Sequence, residues 1–193
     1  MIPRLVVASK NRDKIGEIED VLGEVGLVGE IVRGLDWPDV EETGDTLEEN
    51  ALLKARAVTE AVGLPSVGDD TGLEVAALAG LPGVRTARYA GPGATYDDNV
   101  RHLLNELEGV VDRHARFRTV VALVMTDGSE VVVEGALDGV ITETPRGSGG
   151  FGYDPVFEVE GRTLSEMGVT SKNKLSHRAR ALRSLAEALG VGK

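Results

Sequence analysis

The chain has 193 residues, 41% of them hydrophobic, enough to bury a core as one compact domain or as two lobes sharing a sheet, and too apolar for disorder. A formal net charge of −11 argues against nucleic acid as a partner, because displacing counterions from phosphates takes a basic face. With no cysteine, disulfides and Cys-based zinc sites are excluded, and no apolar run approaches the ~20 residues of a membrane span.

The first residues, Met1 to Leu5, enter a strand-like run without a leader-type apolar core or a small-residue cleavage site, which reads as cytoplasmic. Arg4 to Ala8 is predicted as a strand, broken by Ser9-Lys10-Asn11. From Arg12 the apolar residues Ile15, Ile18, Val21, Leu22 and Val25 form a helical stripe that stops near Gly26. Ser9, Lys10, Asn11, Arg12, Asp13 and Lys14 thus join a strand to a helix N-terminus, where free amides and a lysine favour phosphate. The glycines and the Gly-Lys-Ser/Thr ending of a Walker A loop are missing. Asn11 is equally a turn residue, and Lys14 equally a solvated helix residue.

Leu27 to Val32 is predicted as a second strand, followed by Asp36 to Glu49, which carries seven acids and no base. Thr46-Leu47-Glu48-Glu49 fits a capping box, opening a helix to about Val62 that Gly63 and Pro65 stop. Ser66 to Val75 reads as strand, tight loop and short strand around Gly68-Asp69-Asp70-Thr71-Gly72. Glu41-Glu42-Thr43-Gly44 and Asp69-Asp70-Thr71-Gly72 are paired acids followed by a hydroxyl and a glycine. Mg²⁺ needs only one or two carboxylates beside waters and substrate phosphates, so two such loops suffice, although Asp-Gly turns are also common surface features. Neighbours in extended chain point to opposite faces, so Asp69 and Asp70 need not share one site.

Leu81 to Gly93 is predicted as a loop, and Thr95 as the cap of a helix with Val100, Leu103, Leu104 and Leu107 inside. Ala115 to Thr126 and Glu130 to Thr142 are β-rich and flank Asp127-Gly128, a hairpin signal. Pro145 to Gly152 is glycine-rich, with an extended path resuming at Pro155 to Phe157. Aromatics are 4% of the chain, yet Phe151 and Tyr153 both fall in Gly149-Gly150-Phe151-Gly152-Tyr153-Asp154-Pro155, where backbone approaches a ligand closely and a ring stacks on a base. Phe151 in the core is the plainer alternative. Asp154 is suited to accept from a purine N–H. The last helix, about Leu175 to Leu189, begins near Ser176-His177-Arg178, whose donors suit a carbonyl at purine position 6. Lys10, Arg12 and Lys14 form one basic cluster, and Lys172, Lys174, His177, Arg178 and Arg180 a second. Together with the acidic stretch they suit a metal–polyphosphate ligand, although charge runs are often plain solvated faces. The fold class expected is α/β, with a mixed twisted sheet flanked by helices rather than a pure doubly wound one.

Ser9-x-Asn11-x-x-Lys14, Glu41-Glu42-Thr43-Gly44, Glu49-Asn50-Ala51-x-x-Lys54-Ala55 and Asp69-Asp70-Thr71-Gly72-Leu73 resemble the inosine triphosphate pyrophosphatase (XTP/dITP diphosphatase) family. So do Gly80-x-Pro82-Gly83, Ala87-Arg88-Tyr89-Ala90-Gly91, Gly149 to Pro155 and Ser176-His177-Arg178, in order over nearly the whole chain. The resemblance implies a single domain over 1–193, its two lobes flanking a central active-site cleft, and a cytoplasmic homodimer that uses Mg²⁺. It implies hydrolysis of ITP, dITP and XTP to the monophosphate and pyrophosphate, with neither nucleic acid nor membrane as partner. By position, Ser9 to Lys14 would grip phosphate and Lys14 would assist catalysis. Asp70 would ligate metal and act as acid/base residue, Glu42 or Glu41 would help hold the metal, and Thr71 would contact substrate. Phe151, Gly152, Tyr153, Asp154, Lys172, His177 and Arg178 would frame the base and nearby phosphate. Lys10 stands where glycine is frequent and Thr71 where serine is frequent, and neither removes a needed group. A pyrophosphatase for modified pyrimidines or methylated bases and a non-catalytic nucleotide sensor are the competing readings.

Overall fold

The structure, a computed structural model, describes residues 1–191. Among them are five α-helices and eight strands, in one mixed sheet of order β2-β1-β3-β5-β6-β7-β8 with β4 paired to β3. The chain divides into two compact units, residues 1–70, 119–135 and 177 onward forming the first, and 71–118 and 136–176 the second. Three of the four divisions fall inside β3 (Ser66–Val75), β5 (His114–Val124) and β6 (Glu130–Ile141), and the fourth follows Ser176.

In the first unit β1 (Ile2–Val7) pairs in parallel with β2 (Val28–Ile31), Ile2 opposite Val28, and with β3, Val6 opposite Ser66. Parallel neighbours require crossovers, and two helices supply them. Helix α1 (Arg12–Val25) starts at Asn11, whose side chain accepts from the amides of Asp13 and Lys14, and ends at left-handed Gly26. Helix α2 (Leu47–Val62) starts with the predicted capping box, Thr46 accepting from the Glu49 amide, and ends at left-handed Gly63. Leu5, Ile18, Leu22, Val67, Leu123, Leu182 and Leu185 build this unit's core.

Two sequence expectations change here. Ser66 to Val75 is one continuous strand, without the tight loop expected around Gly68 to Gly72. Gly68 serves close packing instead: a Cβ there would sit 2.5 Å from the Ala51 carbonyl oxygen and 3.0 Å from the Ala55 amide nitrogen of α2. The terminal helix α5 runs from His177 to Ala188. Leu175 belongs to a separate short helix, α4 (Val169–Leu175), divided from α5 by extended Ser176.

In the second unit β4 (Pro82–Gly83) lies antiparallel to the end of β3, Leu73 opposite Gly83. Helix α3 (Tyr96–Glu106) is capped by Thr95, as its sequence predicts, and Asp98 completes a capping box with it. The β5–β6 connection, which belongs to the first unit, turns at Asp127-Gly128, where the Gly128 amide donates to the Met125 carbonyl at 3.0 Å. Strands β7 (Phe157–Val159) and β8 (Arg162–Thr163) continue antiparallel from β6. The extended path expected from Pro155 begins only at Phe157, since residues 152–156 form a turn. Leu73, Leu103, Phe117, Ile141, Phe157 and Leu164 are central to this unit's core. No helix of the described residues is long and apolar enough to cross a membrane.

Candidate active site

The first cluster lies in the first unit and grows from the end of β1 and the middle of β3. After β1 the backbone turns at Ser9, whose Oγ accepts from the Asn11 amide at 3.2 Å. Asn11 Oδ1 accepts from Asp13 N at 2.9 Å and Lys14 N at 3.3 Å, which fixes the first turn of α1 and the direction in which Lys14 leaves it. Arg12 and Asp13 are exposed, and Lys10 pairs with exposed Asp39.

On β3 the two aspartates serve different partners, as strand alternation requires. Asp69, 1% exposed, accepts from Arg178 Nε at 3.1 Å and pairs with Lys14 Nζ at 3.3 Å. Arg178, 2% exposed, also pairs with Glu17 through Nη1. Burial works against the Asp69 charge, but Lys14, Arg178 and Lys54 outweigh it and hold the carboxyl well below the usual range. Burial also lowers the Lys14 pKa, with Lys54 and Arg178 adding to it against the pull of Asp69.

Asp70 faces α2 and the acidic loop. Its Oδ1 accepts from Lys54 Nζ at 3.1 Å, and Asn50 Nδ2 approaches Oδ2 at 3.4 Å. Lys54 Nζ also donates to Glu42 Oε1 at 2.7 Å. Burial raises the Asp70 pKa, Lys54 and Lys14 opposing it. Asn50, fully buried, pins the loop: its Oδ1 accepts from the Gly44 amide at 2.8 Å and its Nδ2 donates to the Gly44 carbonyl at 3.3 Å. Glu41, next to Glu42, is exposed. His177 is buried in this unit, its Nδ1 2.6 Å from Thr119 Oγ1.

The second cluster lies in the second unit. Asp154, 4% exposed, accepts through Oδ2 from the Phe151 amide at 2.8 Å and from Lys172 Nζ at 2.5 Å. The Lys172 ammonium lies 4.7 Å from the Phe151 ring centroid, a cation–π contact, and the Tyr96 ring sits 5.9 Å from that of Phe151. Phe151 is half-buried rather than in the core, whereas Tyr153 is a core side chain whose hydroxyl donates to the Thr86 carbonyl at 3.0 Å. Gly150 permits the fold of this loop. Its φ is 72°, and a Cβ there would lie 2.1 Å from Asp154 Oδ2.

The structure therefore links Lys14 and Arg178 through Asp69, and Glu42 and Asp70 through Lys54, in the first unit, which also holds His177 and the turn shaped by Ser9 and Asn11; in the second it links Phe151, Asp154 and Lys172, with Gly152 in the same loop. Thr71, intermediate in exposure, is the first residue of the second unit. Sequence reasoning gave no role to Lys54, Asn50, Glu17 or Thr119. For Asn50 and Lys54 a signal existed: four apart on α2, they share one helix face, turned toward the buried acids of β3. Among the described residues no three His, Cys, Asp or Glu side chains form a metal cage. Two carboxylates around one cation, Glu42 and Asp70 about Lys54, still fit an ion that keeps waters and binds substrate phosphates.

Residues 5–188 match the profile of the Ham1 family. A dITP/XTP pyrophosphatase of Chlorobaculum tepidum is 49% identical, over 96% of this chain and 92% of that protein. Another of Symbiobacterium thermophilum is also 49% identical, over 96% and 94%. Among solved structures, a HAM1 protein from Coxiella burnetii superposes with a TM-score of 0.86 at 38% identity, covering 98% of this chain and 99% of the other. The nucleoside-triphosphatase/dITP/XTP pyrophosphatase of Mycobacterium abscessus gives 0.74 at 41% identity, covering 96% and 99%. On a match this long, carried by sequence and by fold alike, the chain belongs to the Ham1 family.

Proposed function

We propose that this chain is a pyrophosphatase that hydrolyses dITP, XTP and ITP to the nucleoside monophosphate and pyrophosphate. The observation that carries the reading is the set of Lys14, Lys54, Glu42 and the buried Asp69 and Asp70, two cations among three carboxylates, in a chain nearly half identical to dITP/XTP pyrophosphatases.

In the reaction a water oxygen attacks the α-phosphorus in line, the bond to the bridging oxygen breaks, and pyrophosphate leaves with that oxygen. Asp70 takes the water proton. Its raised pKa, set by burial, makes it a stronger base than a solvated carboxylate. The Lys14 ammonium neutralises charge growing on the leaving group, and Asp69 holds it in place. Ser9, Lys10, Asn11, Arg12 and Asp13 shape the phosphate-binding turn. Mg²⁺, held by Glu42 and Asp70, with Glu41 as the alternative acid, would add electrophilic activation and charge neutralisation when bound. Phe151 stacks on the purine, with Gly152, Tyr153, Asp154 and Lys172 forming its frame, and Thr71 contacts substrate. His177 and Arg178 offer donors to the 6-oxo group. Adenine puts an amino donor there, and a closed site pays heavily for donor facing donor. The whole chain acts as one two-lobed domain, in the cytoplasm and as a homodimer.

A pyrophosphate-release panel over dITP, ITP, XTP, GTP, ATP and dUTP tests this. The expected kcat/KM for ITP exceeds that for ATP by about 100-fold or more. Equal rates on ITP and ATP, a preference for dUTP, or stoichiometric binding of ITP without pyrophosphate release would each overturn it.

A further inference from the structure

Lys54 has no part in the reaction as written, yet it bridges the two carboxylates proposed to hold the metal. Its side chain is 11% exposed, and its Nζ bridges Glu42 Oε1 at 2.7 Å and Asp70 Oδ1 at 3.1 Å. The third nearby acid, Asp69, already has Lys14 at 3.3 Å and Arg178 at 3.1 Å. The charges therefore sort into two sets, with Lys54 the ammonium directly on Glu42 and Asp70.

Two cations compete for one pair of carboxylate oxygens. With Lys54 in place, Glu42 and Asp70 offer an entering divalent ion a net charge of −1 rather than −2, and their inward oxygens are already engaged. We infer that Lys54 is a resident counter-cation that holds Glu42 and Asp70 about one point while keeping free divalent metal weakly bound, so that metal is retained only together with a triphosphate. The substrate supplies the missing anionic charge, and its phosphates give the displaced ammonium a new partner. Lys54 is thus a positioning residue acting through the metal ligands. The inference rests on the proposal that Glu42 and Asp70 hold the metal.

Direct Mn²⁺ binding without nucleotide, followed by the electron paramagnetic resonance of the free ion at constant ionic strength, reads this out without turnover. Lys54→Met should bind Mn²⁺ at least tenfold more tightly than the wild type, and Lys54→Arg, which restores the charge, should return affinity toward the wild-type value. Adding Glu42→Gln to Lys54→Met should abolish the gain. If Lys54→Met fails to fold by circular dichroism, Lys54→Gln takes its place. Unchanged or weaker Mn²⁺ binding in the uncharged variants overturns the inference, and the metal-site proposal still stands if Glu42→Gln weakens binding in the wild-type background. Mn²⁺ binding indifferent to both Glu42→Gln and Asp70→Asn would overturn both.

Discussion

At the residue scale, neighbouring positions on one strand have been given opposite tasks. Asp69 spends its charge on Lys14 and Arg178, whereas Asp70, only one residue on, is more weakly held and is the base of the proposed reaction. Asp70→Asn keeps the shape and the approach of Asn50 but removes the proton acceptor. It should lower kcat by about 10²–10⁴-fold, with the far-ultraviolet circular dichroism spectrum unchanged. A variant retaining a tenth of the wild-type rate would exclude Asp70 as the base. Lys14 allows a test with pH. Burial lowers its pKa, helped by Lys54 and Arg178, so its charge is lost below the ordinary lysine value of about 10.4. The kcat/KM profile, which reports groups of the free enzyme, should therefore fall on the alkaline side before that value. Lys14→Arg stays protonated throughout and should remove the fall, whatever its absolute rate. An identical alkaline limb in both proteins would assign that titration to another group.

At the element scale, the glycine loop before β7 depends on one missing Cβ. Gly150 and Gly152 both have left-handed backbone, φ 72° and 64°, so alanine at either costs about 1–3 kcal/mol in strain. Only at Gly150 would the new methyl also displace Asp154 Oδ2, and with it the bonds to the Phe151 amide and Lys172. Gly150→Ala should therefore raise KM for dITP about tenfold or more over the wild type, since misplacing a positioning group by an ångström costs up to about 10²-fold. Equal KM values would show that the Asp154–Lys172 arrangement does not bear on substrate. The elements themselves were legible where their signals are local. Asn11, Thr46 and Thr95 cap helices, Gly26 and Gly63 end them, and Asp127-Gly128 turns the hairpin, each within a few residues of its effect. What the sequence hid depends on distant partners. Gly68 reads as a turn until α2 is seen to pass 2.5 Å from its missing Cβ, and α4 has only seven residues and exposes Val169. The site followed the same division: its residue types stood out as motifs, but which aspartate meets which cation was decided by contacts such as Asp69 to Arg178, 109 positions apart.

At the scale of the whole molecule, 32 acids face 21 lysines and arginines, and most acids lie exposed where pairing contributes little. The buried chain of Glu17, Arg178, Asp69 and Lys14 differs, because each member is enclosed by protein and each depends on the next. Breaking such a set at one point strands the partners' charges. Asp69→Asn should therefore cost about 3–5 kcal/mol of stability at neutral pH. The sign of the pH dependence follows from the depressed Asp69 pKa. In the unfolded chain the carboxyl takes a proton near pH 3.9, and in the folded protein only at lower pH. The unfolded state thus binds more protons in that window, so Asp69 contributes fully above about pH 4 and progressively less as the pH falls toward its folded pKa. Urea denaturation of the wild type between pH 7 and 3 should show a loss of stability that steepens below about pH 4, and Asp69→Asn, already lacking this contribution, should have a shallower profile. Parallel profiles would mean that acid sensitivity comes from the net charge of the molecule and not from this buried chain.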